Sequence, residues 1–187
     1  MKPKTLFAVW LLALATVGPA EEMVVEIEPE RSSVTFVLQA TLHSVHGSAE
    51  AISGSLTLDT EIGAMAGEIV VDATSAETGN KKRDKKMHAK VLRSAEHSRI
   101  VLRPLRLDGT LATGGPSNVT LLGELELLGR AHKVHIPLHI EIVDDRFNAT
   151  AEFELPYVEW GLEDPSTFVL RVGKMVEVTV TARGTVR

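Results

Sequence analysis

The chain has 187 residues and a formal net charge of −5, with 20 Lys and Arg against 25 Asp and Glu. One domain is the expectation at roughly 100–200 residues each, and the acidic balance excludes a generally basic nucleic-acid binder. Cysteine is absent, which removes disulfides, thiolate metal sites and cysteine nucleophiles. With few aromatics, an apolar pocket would be lined mainly by Val, Leu, Ile and Ala.

Lys2 and Lys4 precede an almost wholly apolar run from Thr5 to Val17, and Gly18-Pro19-Ala20 puts small residues at a cleavage site. This is the three-part pattern of a secretory signal peptide. The run is short for a bilayer span, which takes roughly 20 apolar residues. Residues 1–20 are therefore expected to be removed, leaving one domain over 21–187 that is exported.

From Met23 onward the dominant pattern has period two. Val34, Phe36, Leu38 and Ala40 alternate with polar or outward positions. Val119, Leu121, Leu125 and Leu127 share one face, as do Val134, Ile136, Leu138, Ile140 and Ile142, and later Val176, Val178, Val180 and Ala182. Such alternation marks strands with one buried and one wet face, and so antiparallel pairing. Turn residues at Asp59 to Gly63, Asp108-Gly109, Gly114-Gly115-Pro116 and Asp144-Asp145 separate roughly eight to ten strands. Asn80 to Ser94 reads instead as a helix, with Asn80 as its cap and Met87, Val91 and Leu92 facing inward. Thr110 to Ser117 reads as a loop. The fold class is all-β. A closed barrel hides every sheet edge, and a two-sheet sandwich fits the alternation almost as well.

Ser33-Val34-Thr35-Phe36, Leu42-His43-Ser44-Val45-His46-Gly47 and Ile52-Ser53-Gly54-Ser55-Leu56 occur in that order. They are followed by Glu77-Thr78-Gly79-Asn80 with Arg83-Asp84 and Met87-His88, then by Gly123 to Gly129 with His132, and by Trp160-Gly161-Leu162. In this order the chain resembles the YceI-like family, the bacterial polyisoprenoid-binding, lipocalin-like proteins. The resemblance implies an eight-stranded antiparallel barrel, elongated, whose apolar cavity takes the isoprenoid tail of a lipid or quinone. It also implies periplasmic or secreted placement and a homodimer. The sequence departs from the family where Ser48, Ala49, Val91 and Leu92 stand at positions often held by Phe. Fewer aromatics leave the cavity's size open.

The residues themselves offer little catalytic chemistry. His135 and His139 share a strand face but lie about 13 Å apart at roughly 3.3 Å per residue, too far for one zinc ion. His132 and His135 point to opposite faces; His132 continues the apolar face of Val134 and Ile136. No Gly-x-Ser-x-Gly elbow is present. The sequence thus gives no reason to expect an enzyme, a metal or a cofactor. Asn118-Val119-Thr120 and Asn148-Ala149-Thr150 match a glycosylation pattern by chance, on strand positions.

The functional expectation is a carrier that buries an apolar isoprenoid-like molecule. Its inward face is expected to include Phe36, Leu38, Val119, Leu121, Leu125, Val134, Ile136, Leu138 and Ile140, with Tyr157 and Trp160 at the rim. The basic stretch from Lys81 to Lys90 is a solvated helix face or, on the functional reading, a transient contact with anionic headgroups. The alternatives are an interaction module or inhibitor with a packed barrel interior, and, more weakly, a metal-dependent enzyme.

Overall fold

A computed structural model describes residues 22–187 apart from Leu42, Ala51, Thr113, Gly114 and Val169. The expected leader, residues 1–20, and Glu21 lie outside the described residues. Ten strands form one sheet: β1 (Glu22–Ile27), β2 (Ser33–Leu38), β3 (Val45–Ala49), β4 (Ile52–Asp59), β5 (Met65–Asp72), β6 (Arg99–Asp108), β7 (Pro116–Leu127), β8 (Arg130–Val143), β9 (Arg146–Leu155) and β10 (Val176–Val186). All pairings between them are antiparallel.

The sheet closes. Its order runs β1-β4-β5-β6-β7-β8-β9-β10, and β10 pairs back onto β1 through Val25↔Val186 and Ile27↔Gly184. Closure excludes the sandwich. The same edge of β10 holds β2 further along, through Glu177↔Val37 to Thr181↔Ser33. β1 and β2 are therefore two halves of one stave, separated by a tight turn at Pro29–Arg31. β4 and β3 form the facing stave in the same way. Ten strands thus make the eight staves expected of the barrel.

Polar groups at the break keep the stave together. Glu28 N–H donates to Arg183 O at 2.8 Å, and Ser32 Oγ accepts from Arg183 N–H at 3.0 Å. Arg31 and Arg146 bond the Glu28 carboxylate and hold its pKa below the usual range. At its outer edge β3 makes an isolated bridge, Ser48 and Glu77 exchanging backbone bonds of 2.9 and 2.8 Å.

The long connection from β5 to β6 crosses one barrel end. It contains helix α1 (Lys81–Lys86), capped by Asn80, whose Oδ1 accepts from Lys82 N–H and Arg83 N–H at 3.1 and 3.2 Å. The expected helix to Ser94 is shorter than the pattern suggested. After Lys86 it widens into a π-type turn over Met87–Val91, and Arg93 takes a left-handed φ of 46°. Ser94 ends it by donating its N–H to His88 O, while its buried hydroxyl meets His88 Nδ1 at 2.9 Å. The expected loop from Thr110 also ends earlier, because β7 begins at Pro116.

Apolar side chains face the inside and pack into clusters. One cluster joins Leu58, Leu107, Val119, Leu121, Leu125, Val134 and Ile136; another joins Ile27, Ile52, Phe147 and Val186. Burying each such side chain contributes about 1.5–3 kcal/mol.

Candidate functional site

The interior is not solid. A cavity of about 750 Å³ runs through the barrel, within the roughly 300–1,000 Å³ of small-molecule sites. Every stave contributes to its wall: Ile27 and Phe36 from the first, Ile52 and Leu56 from the second, then Ile69, Leu102, Leu121, Ile136, Phe153 and Val180. Alternation puts these positions on one face of each strand, so the wall is nearly all hydrocarbon. Toward the hairpin turns at residues 60–64 and 109, Leu58 and Leu107 pack with Val119 as a floor.

Apart from Thr150 on β9, the polar lining gathers at the other end: His43, Thr78, Asn80, Lys82, Arg83, Lys86 and Thr167. α1 is fixed there by Thr78. The Thr78 hydroxyl accepts from Arg83 Nε at 2.7 Å and donates to Asp84 Oδ1, which also accepts the Thr78 N–H at 2.9 Å. Gly79, at φ 73°, makes the turn between them. Arg83-Asp84 is therefore a positioning pair, tying the helix to the preceding turn.

The β9–β10 connection forms the facing rim. Asp164 Oδ1 accepts from Ser166 N–H at 2.9 Å, Ser166 Oγ accepts from Val172 N–H at 3.0 Å, and Lys86 Nζ reaches Pro165 O at 3.4 Å. The bonds from Ser166, helped by Lys174 and Arg171, hold the Asp164 carboxyl below its ordinary pKa. Tyr157 is buried and donates its hydroxyl to Gly173 O at 2.7 Å. Burial, with the Asp164 charge adding to it, pushes the phenol up to about 12.

Phe36, Leu38, Leu121, Leu125, Ile136, Leu138, Ile140 and Tyr157 line the cavity; Val119, Val134 and Trp160 do not. Val119 and Val134 face inward but are enclosed by neighbours in the packed cluster. The β8–β9 ladder stops at Leu138↔Ala151, although β9 continues to Leu155. Trp160 packs against that cluster and stacks on His132, with ring centroids 4.2 Å apart and planes 6° from parallel. It braces the wall rather than lining the cavity. The His132 Nε2 it covers is buried without a hydrogen-bond partner.

The sequence-based inward face omitted the walls from β1, β3, β4, β5, β6, β9 and β10 and, at the rim, the polar side chains of α1, although Tyr157 was expected there. A signal for the rim was available: a capped helix directly before inward-facing Met87, Val91 and Leu92 must bring its own side chains to the barrel end. Among the described residues no group of three or more His, Asp or Glu converges on a metal-sized site. His139 instead pairs with Asn118, Nδ1 to Oδ1 at 2.9 Å.

The YceI-like domain matches residues 26–183. The chain belongs to the YceI-like family. Solved structures share the fold of this YceI-like chain at low identity. A polyisoprenoid binding domain from Saccharophagus degradans matches with TM-score 0.71 and 18% identity over 87% of this chain and 98% of that one. BcnA of Burkholderia cenocepacia matches with TM-score 0.70 and 14% identity, covering 85% and 99%. The YceI protein of Campylobacter jejuni matches with TM-score 0.63 and 9% identity, covering 78% and 86%. No match was found among curated protein sequences.

Proposed function

We propose that this YceI-like protein is an exported carrier that holds an isoprenoid-like lipid or quinone in its barrel. The observation behind this reading is the largely hydrocarbon-lined cavity of about 750 Å³, whose polar residues, Thr150 apart, gather at one end. Burial supplies the affinity at about 0.8 kcal/mol per CH₂ moved out of water, with no polar code needed along the tail. The structural relative described as a polyisoprenoid binding domain supports the same ligand class. Export rests on the leader pattern of residues 1–20, and N-terminal sequencing of exported material should find a start near Glu21.

The test is ligand content. Native mass spectrometry of gently purified protein should show a co-purified apolar molecule. Leu121→Trp, Leu125→Trp and Leu138→Trp should each lower that content while remaining folded. Unchanged content in all three folded variants would place the ligand elsewhere.

A membrane-surface contact belongs to the same reading. Lys81, Lys85 and Lys90 do not line the cavity, and Phe168, on the facing rim, is 97% exposed. Cations beside an exposed aromatic suit an anionic bilayer surface. Phe168→Ser should reduce sedimentation with anionic vesicles; equal sedimentation would exclude this contact.

A further inference from the structure

We infer that the mouth selects amphiphiles with an anionic headgroup, carboxylate or phosphate, through Lys82 and Lys86. This deepens the carrier reading and rests on it. The chain carries more acids than bases, yet among the described residues that line the cavity there is no Asp or Glu, while Lys82, Arg83 and Lys86 all do so. Arg83 is committed to Thr78. Lys82 and Lys86 stand four apart on α1, a spacing that puts them on one helix face. Neither has a carboxylate partner among the described residues; Lys86 has only the Pro165 carbonyl at 3.4 Å.

On the barrel wall the paired cations are arginines, and the lysines form no salt bridge with a carboxylate among the described residues, so what sets Lys82 and Lys86 apart is their place on the cavity lining. Arg99 meets Glu68 and Arg103 meets Glu126, each at 2.7 Å, across neighbouring strands. The Lys82 ammonium has no bonded partner among the described residues and that of Lys86 has only the long bond to Pro165 O, so both keep donors for a ligand beside the hydrocarbon wall. A tail threaded into the barrel leaves its headgroup at this polar end. A neutral headgroup such as a quinone carbonyl accepts a weaker bond from an ammonium than an anion does, and a cationic one would be repelled. An anion accepts charge-assisted hydrogen bonds from both, and a low-dielectric wall on one side weakens screening.

Paired probes test this: farnesyl phosphate against farnesol, and dodecanoate against dodecanol, titrated calorimetrically into the folded protein. Each anion should bind on the order of tenfold tighter than its neutral partner at low ionic strength, and molar salt should narrow the gap. The double variant Lys82→Gln, Lys86→Gln should lose that preference and keep its affinity for the neutral probes. Lys81→Gln, Lys85→Gln changes net charge equally and should keep the preference. Inorganic phosphate should not displace farnesyl phosphate, since the tail supplies most of the binding. Two outcomes overturn the inference alone: neutral probes binding as tightly as anions, or both double variants losing preference equally. Failure of all four probes to bind would overturn the carrier reading with it.

Discussion

The Thr78 hydroxyl accepts Arg83 Nε at 2.7 Å while the Thr78 carbonyl accepts Arg83 Nη2 at 2.9 Å. The guanidinium thus bridges side chain and backbone of one residue five positions earlier, and Asp84 completes the tie from the other side. Without it, a helix as short as α1 has little to hold it over the barrel end, because so few turns are marginal alone.

Thr78→Val is expected to loosen α1 locally. It leaves Arg83 Nε and Asp84 Oδ1 each short of a partner in a half-buried site, a cost of about 1–3 kcal/mol. Hydrogen exchange should accelerate at the α1 amides while β7 and β8 stay protected, and Thr78→Ser should restore the slow rate. Uniform protection in Thr78→Val would show that packing of Met87, Val91 and Leu92 alone positions the helix.

Gly184 sits where β10 changes neighbours from β2 to β1, opposite Ile27. A Cβ there would lie 1.8 Å from Glu26 O and 2.8 Å from Phe147 Cε1, and neither the backbone oxygen nor the packed ring can easily move. Gly184→Ala should therefore open the closing seam, at a cost of about 1–3 kcal/mol or more. Chemical unfolding should show a lower midpoint; an unchanged midpoint would mean the seam adjusts freely.

β7 and β8 were legible in the sequence because every second residue of each long strand meets the barrel interior, and Asn80 was legible as a cap because no fold-level contact competes with it. β6 was not. Its ladder with β7 slips between Pro104 and Arg106, so the inward positions run Ile100, Leu102 and Pro104 and then jump to Leu107, leaving Leu105 57% exposed. A bulge resets the alternation that a period-two reading assumes. The broken first stave was hidden for a similar reason, since Pro29–Arg31 reads as a loop between separate strands. Trp160 was misplaced because amphipathic character suits a rim, whereas its stacking partner His132 comes from β8, distant in sequence. The cavity residues were legible as inward-facing. Whether an inward side chain meets a void or a neighbour depends on all eight staves together.

Tyr157 supplies a pH dependence. Its pKa is pushed up to about 12 in the folded chain, mainly by burial, against about 10 when unfolded. Between those values the unfolded chain loses the proton that the folded chain keeps, so stability should be intact below pH 10 and fall as pH rises toward 12. The loss is on the order of 2 kcal/mol. Tyr157→Phe loses the bond to Gly173 and should be less stable at neutral pH, yet show a shallower decline above pH 10. Parallel declines in the two proteins would assign the alkaline transition to other groups.

The contrast between enclosed and cavity-facing side chains can be read from stability without any ligand. Val134 is 7% exposed and packed on all sides, whereas Leu138, two residue pairs along the same face of β8, borders the cavity. Truncating an enclosed side chain loses its transfer free energy and also opens a new void. Truncating one that already faces empty space gives up fewer contacts, since part of its surface has no partner atoms to lose. Val134→Ala, although it deletes only two methyl groups, should therefore cost about 1–3 kcal/mol, and Leu138→Ala should fall at or below the lower end of the usual 2–5 kcal/mol for Leu→Ala. Ligand should separate them in the opposite sense: a saturating apolar molecule should raise the unfolding temperature of Val134→Ala as much as that of the wild type, and raise that of Leu138→Ala by less, because the wall it presses on has receded. Urea and thermal unfolding of six samples, the wild type and the two variants each with and without farnesol, measure both effects. A Leu138→Ala cost near 5 kcal/mol, with no change in stabilisation by ligand, would mean that Leu138 is packed as tightly as Val134 and that the cavity ends short of it.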